Sequence, residues 1–151
     1  MAEILIATEQ DKSGTDVTIY MAQTIAGSPV YPFYLKNYAE LMDAGLAQSL
    51  LYSSNRTKAV YATIDNKVVG NIVYEIQEDV FKSCYLLFSA VDENFRQRGI
   101  LKLMHNHFEV IIKKQGAKKL YSFVHVDNAP RIASCVGLGL EKQFYKMYKV
   151  L

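Results

Sequence analysis

The chain has 151 residues, half of them hydrophobic, with 17 basic and 15 acidic side chains and a net charge of +2. That length builds one well-buried core and is too short for two ordinary domains, so a single domain over 1–151 is expected. The near-balanced charge excludes a nucleic-acid coat and a disordered charged tail. In chain order, Ile4–Ala7 reads as a short strand. Thr15–Ile25 carries Val17, Ile19–Met21 and Ile25, a spacing that predicts a helix, with Asp16 placed to cap it. Ala26–Pro32 is loop chemistry, with a glycine, a serine and two prolines. Leu35–Leu51 is rich in good helix formers. Lys58–Ile64 and Val68–Ile76 both alternate around Asp65–Asn66, so they predict a hairpin. Cys84–Val91 is a near-continuous apolar run, the mark of a strand buried on both faces.

Ile100, Leu103, Met104, His107, Phe108 and Ile111 then fall at helical spacing, which puts His107 on the apolar stripe as a core histidine. His105 and His107, two apart, share no helix face and make a poor metal pair. Gly116 ends that helix. Lys118–Val126 is β-rich, and Asn128–Gly137 is a short helix with Pro130 near its start, where proline fits. Leu140–Leu151 closes the chain as one or two strands. The expected order is two N-terminal helices, three strands, a long helix, a strand, a short helix and a terminal strand. This is an α/β (α+β) fold with a mixed sheet and helices on its faces. Cys84 and Cys135 form neither a disulfide framework nor a metal spacing, and a cytoplasmic home suits them. No apolar run approaches the roughly 20 residues of a membrane span, and the N-terminal patch is too short for a signal peptide.

The chemistry concentrates in Val91–Met104, "VDENFRQRGILKLM", where a strand turns into a helix. The first turn of a helix has unpartnered N–H groups and a partial positive charge, a site for phosphates. Gly99 lets backbone and ligand approach closely, and Arg96 and Arg98 add forked donors suited to phosphate oxygens. The stretch lacks the Lys-Ser ending of a P-loop and the three-glycine dinucleotide fingerprint. By itself it also fits a turn glycine between solvated arginines, or a helix-start phosphate site for some other nucleotide.

The segment Arg96-Gln97-Arg98-Gly99-Ile100-Leu101, with Val91 five residues before it, resembles the acetyl-CoA-binding segment of GNAT-superfamily N-acetyltransferases, Arg/Gln-x-x-Gly-x-Gly/Ala. "VHVDNAPRIASCVGLGL" resembles the family's second segment, with Asn128 in the asparagine place and Gly139–Leu140 in the Gly-Phe place. The resemblance covers Lys58–Leu140 by element order. It implies a mostly antiparallel sheet with two splayed strands and acetyl-CoA as co-substrate. The amides of Gln97–Leu101 would hold its diphosphate, and Ser89–Ala90–Val91 would pair with the pantetheine arm. Asn128 would face that arm, and the Val91 N–H would donate to the thioester oxygen.

Two positions depart from the family pattern. Leu101 replaces a glycine or alanine and either crowds the diphosphate or points away along the helix. Cys135 replaces the tyrosine that protonates the leaving thiolate, and reads either as a substitute proton donor or as a small core residue. Tyr145 and Tyr148 are further substitutes without a place. His125 and Glu75 are the candidates for general base. In the family the region of Tyr31, Phe33, Tyr34 and Tyr38 lines the acceptor pocket, and ordinary packing is the competing account. The expected activity is acetyl transfer from acetyl-CoA to a primary amine of a small molecule or peptide by direct attack in a ternary complex. The alternative is a non-catalytic acyl-CoA-binding or sensing domain on the same fold. Nucleic acid, membrane and metal have no part in either, and a homodimer is compatible with both.

Overall fold

Asp65 and Asn66 both take positive φ, 51° and 64°, the two-residue left-handed turn whose twist matches its flanking strands. The computed structural model describes residues 3–39, 56–80, 82–122, 128–142 and 149–150. Its strands are β1 (Glu3–Gln10), β2 (Asp16–Ala22), β3 (Thr57–Ile64), β4 (Lys67–Ile76), β5 (Cys84–Val91) and β6 (Leu120–Ser122). They form one sheet in chain order, antiparallel throughout except for the parallel β5–β6 pair. The helices are α1 (Val30–Ala39), α2 (Ile100–Lys114) and α3 (Ala129–Gly137). A parallel pair needs a crossover, and α2 supplies it.

The N-terminal reading needs correction. Thr15–Ile25 holds no helix; Asp16–Ala22 is β2, hydrogen-bonded between β1 and β3. Val17, Ile19 and Met21 are buried at alternate positions, a period of two that Tyr20 masks by making the apolar run look continuous. Asp16 therefore caps nothing and pairs across from Gln10. The helix-start chemistry lies at Ser28, whose hydroxyl accepts from the Val30 N–H at 3.3 Å. The loop after β2 accordingly lies three residues earlier than expected, and α1 takes in Pro32 within its first turn, where no amide needs an intrahelical partner. Residues 40–51 of the expected Leu35–Leu51 helix, and 143–148 of the terminal strand, lie outside the described residues.

β3 and β4 are buried on both faces, whereas β5, expected to be so along its length, is fully buried only at Cys84 and Leu86 and exposes Leu87. On one face Val60, Ala62, Ile72, Tyr74 and Leu86 pack against Ile100, Met104, Phe108 and Ile112 of α2. On the other, Ala59, Tyr61 and Val73 pack with Val30 and Tyr34 of α1. Tyr34 meets Phe88 edge-on at 5.9 Å, and Phe33 is buried as well, so these two aromatics are core.

The stripe of α2 is rotated slightly from its expected position. The core histidine is His105, 1% exposed, and not His107, which is half-buried and bonds Glu9 Oε2 at 2.7 Å. The helix follows the i, i+4 line 100, 104, 108, 112, which brings 105 inward and leaves 107 at the side. Burial, helped by Arg131, holds the His105 pKa below its ordinary value, against the pull of Glu109, so its ring is neutral at pH 7. Among the described residues no helix is long and apolar enough to cross a membrane. Cys84 and Cys135 are buried and unpaired, and burial pushes the Cys84 thiol up to about 12, so it is inert.

Candidate active site

The end of β5 fixes which backbone groups are free. The Asp92 N–H donates to Val69 C=O at 2.8 Å, so Asp92 and Val69 form a hydrogen-bonded pair. Antiparallel pairs alternate, so Ala90, opposite Asn71, turns its amide and carbonyl toward β4. Ser89, opposite Ile72, and Val91, opposite Gly70, turn theirs away from it. Arg96 Nε donates to the Val91 carbonyl at 3.0 Å, leaving the Val91 N–H.

The chain then makes a turn that delivers amides. The Asp92 carboxylate accepts from the Asn94 N–H at 3.0 Å and caps a 3₁₀ turn, Glu93–Phe95. Gln97 (φ 64°) and Gly99 (φ 80°) are both left-handed and bracket Arg98. Alternating left- and right-handed residues gather successive N–H groups into a concavity that suits an anion. The unpaired first-turn amides of α2 follow directly, since Gly99 C=O already takes the Leu103 N–H at 3.1 Å. A non-glycine in the Gln97 conformation is uncommon, a strain that clusters at binding sites. Leu101 does not crowd this concavity: its side chain packs against the α2-side core beside the buried Ile100. The departure from glycine or alanine is thus absorbed by the core.

The two arginines are less free than their sequence suggests. Arg98 lies 3.8 Å from Asp11 Oδ2, and its guanidinium sits 5.0 Å over the Phe95 ring. Its carbonyl accepts from the Lys12 N–H at 2.9 Å. Arg96 is exposed and keeps its terminal nitrogens available. The β1–β2 turn, Asp11–Thr15, is thereby latched onto the loop. Asp11 shapes that turn by accepting from the Ser13 and Thr15 amides at 2.8 and 3.0 Å. A methyl group on Gly99 would lie 3.3 Å from Lys12 Cε, so glycine is needed for its φ and for this contact together.

The strand next to the loop carries a bulge. β6 pairs Leu120–Ser122 with Cys84–Leu86, and β5 carries an extra residue at Leu87 against β4. Beyond it, Phe88–Val91 pair with β4 alone among the described residues. α3 begins at Asn128, whose side-chain oxygen accepts from the Arg131 N–H at 3.2 Å. Arg131 reaches back to donate to Ser89 Oγ at 2.7 Å. Cys135, on α3, is 8% exposed. Glu75 is half-buried, bonded by Gln77 Nε2 at 3.0 Å, and lies across from Tyr85. Its partner position is six residues from Val91 along β5, about 20 Å of strand, so one reacting atom cannot touch both. His125, Tyr145 and Tyr148 lie outside the described residues, as does the side chain of Tyr38.

Sequence reasoning missed four features: Lys12, the Leu87 bulge, Arg131 and Asn71. Asn71 is fully buried, and neither amide atom has a hydrogen-bond partner. It shares the α1-side face with Tyr61, a position where the amide costs about 1–3 kcal/mol if it stays unpaired. Tyr61 stacks on Tyr20 at 5.3 Å, and burial, with Glu3 and Tyr20 adding, pushes its phenol up to about 12. It keeps its proton at pH 7. A strand-encoded asparagine inside an apolar alternation was the one available signal for this group.

A mixed six-stranded sheet with a bulged strand running through an amide-lined turn into a helix matches the fold of acyltransferases that use acyl-coenzyme A. The same fold is seen in an aminoglycoside acetyltransferase from an uncultured soil metagenomic sample, crystallised with sisomicin: 18% identical, covering 89% of this chain and 96% of that one, TM-score 0.70. It is also seen in a ribosomal-protein-alanine N-acetyltransferase from Brucella melitensis biovar Abortus 2308, 15% identical over 89% of this chain and 99% of that one, TM-score 0.70. A third, an aminoglycoside N-acetyltransferase in complex with CoA, is 16% identical over 88% of this chain and 98% of that one, TM-score 0.67. No curated protein matches the sequence. The chain belongs to the acetyltransferase (GNAT) family, whose model matches residues 20–137. Acetyl-CoA is the co-substrate that this membership assigns.

Proposed function

We propose that residues 1–151 act as one domain that moves the acetyl group of acetyl-CoA to a primary amine by direct attack in a ternary complex. The observation that carries this reading is the left-handed pair Gln97 and Gly99, which aims the first amides of α2 at one point beside the end of β5. The diphosphate binds there, and the pantetheine arm runs along β5 toward the bulge. The Val91 N–H then serves an amide of the arm. The thioester end lies nearer Ser89, whose N–H also points off β4, so the oxyanion donor we assign is Ser89. Asn128 keeps its NH₂ for the arm while its oxygen caps α3.

The acceptor nitrogen attacks the thioester carbon, the carbonyl electrons collapse back, and the C–S bond breaks. Cys135 gives the leaving thiolate its proton. Glu75, about 10 Å of strand from the Ser89 level, collects the amine proton through water; His125 is the other candidate base. Most of the rate then comes from positioning and thioester polarisation. The related acetyltransferases act on aminoglycosides and on a ribosomal-protein alanine, which supports an amine acceptor of either small-molecule or peptide kind. Two unpaired cysteines support a cytoplasmic setting.

The test is CoA release, followed with a thiol-reactive dye, over a panel of aminoglycosides and alanine-terminated peptides. Turnover above background with at least one amine is expected. Tight acetyl-CoA binding without release on any amine supports the non-catalytic sensor instead. Cys135→Ala is expected to leave the acetyl-CoA Kd unchanged and lower kcat by roughly a hundredfold, the low end for a positioned proton donor. Unchanged turnover removes the thiol from the mechanism.

A further inference from the structure

The β1–β2 turn lies before residue 20, where the family match begins, yet it touches the phosphate loop by three routes. Its Lys12 amide bonds the Arg98 carbonyl, its Asp11 faces the Arg98 guanidinium, and the Lys12 stem lies across Gly99. The consequence is an exchange of cations. Arg98, the residue at the expected phosphate position, is drawn toward Asp11 and stacked on Phe95. Lys12 is exposed, makes no ion pair among the described residues, and is held by its own backbone beside the residue that starts α2.

We propose that the ammonium of Lys12 pairs with the diphosphate of the coenzyme, a contact supplied from outside the strand–turn–helix segment. The inference rests on the acetyl-CoA reading given above. The Lys12 backbone bond fixes the root of the side chain, so less rotamer freedom is lost on binding than for a lysine on a free loop. The ammonium acts as a point charge and complements the directional amides of residues 97–101. Asp11 has a double role: it shapes the turn, and it draws Arg98 to itself.

The test measures acetyl-CoA and dephospho-CoA affinity for wild type, Lys12→Met and Lys12→Arg over a range of salt. Methionine keeps an unbranched stem over Gly99 and removes only the charge. Lys12→Met is expected to raise Kd about five- to tenfold at low salt, a loss that shrinks as ionic strength rises, with thermal stability unchanged. Lys12→Arg restores most of the affinity. The loss is expected to be equal for dephospho-CoA, which retains the diphosphate and lacks the 3′-phosphate. A Lys12→Met Kd within twofold of wild type overturns the assignment, as does a loss independent of salt or one that vanishes with dephospho-CoA. Wild-type protein that binds no acetyl-CoA overturns the coenzyme reading itself, and Lys12 with it.

Discussion

Gly99→Asp is expected to weaken acetyl-CoA binding by on the order of a hundredfold, whereas Gly99→Asn weakens it only severalfold. The pair isolates charge. Asparagine and aspartate have nearly the same shape, and both tolerate the left-handed backbone that Gly99 occupies at φ 80°. Both must also shift the Lys12 stem, which a Cβ would meet at 3.3 Å. Only the aspartate puts a negative charge where the diphosphate is proposed to sit. At about 5 Å and an effective dielectric constant near 20, one such repulsion is about 3 kcal/mol. For the apo protein the carboxylate is favourable, since it stands at the positive end of α2. Gly99→Asp therefore melts no lower than Gly99→Asn while losing the coenzyme, and both melt below the wild type because each keeps a strained φ and displaces the Lys12 stem. Calorimetric titration and a thermal scan of the two variants check this. Equal affinities for Asp and Asn would remove the diphosphate from this turn.

Phe108→Ala is expected to have the largest effect on stability. Phe108 is fully buried, meeting Tyr74 at 5.1 Å and His105 at 5.6 Å, both edge-on. Removing a ring from such a site costs about 3–5 kcal/mol, from the lost transfer energy and the cavity left behind. For a chain of this size that is a drop of about 10 °C in melting temperature. Tyr74 limits how far the site can collapse, because its hydroxyl is tied to Gln115 Oε1 at 3.2 Å. The phosphate loop is fixed at its own end by the Lys12, Asp92 and Arg96 contacts. The acetyl-CoA Kd, measured well below the transition, is therefore expected to change less than about threefold. A large loss of affinity would mean that the cradle depends on the middle of α2 and not on the turn that starts it.

These residues also show what the sequence made legible. The hairpin at Asp65–Asn66, the strand Cys84–Val91 and the helix from Ile100 were readable because their punctuation is local, although the burial expected along that strand holds only at Cys84 and Leu86. The turn at Arg96–Gly99 was readable because glycine there answers a backbone requirement. β2 was misread because Tyr20 fills the polar place in a period-two pattern. The β-branched Val17, Thr18 and Ile19 were the contrary signal. His105 and His107 were exchanged because a helical stripe read from so few apolar positions is uncertain by about one residue of rotation. Lys12 and Asp11 were not legible at all. Their roles depend on a contact between the N-terminal turn and a loop distant in sequence, and no local pattern encodes it. The capture of Arg98 by Asp11 has the same origin. A basic residue in a motif looks available until its acidic neighbour in space is known.

The most direct test of the account is a titration of ¹⁵N-labelled protein with acetyl-CoA, followed by amide resonances. The largest shifts are expected at Gln97, Arg98, Gly99, Ile100 and Leu101, with Ser89 and Val91 next. If the amides of 97–101 stay still while the coenzyme binds and shifts gather elsewhere, the diphosphate is held somewhere else and the proposed mechanism has no anchor.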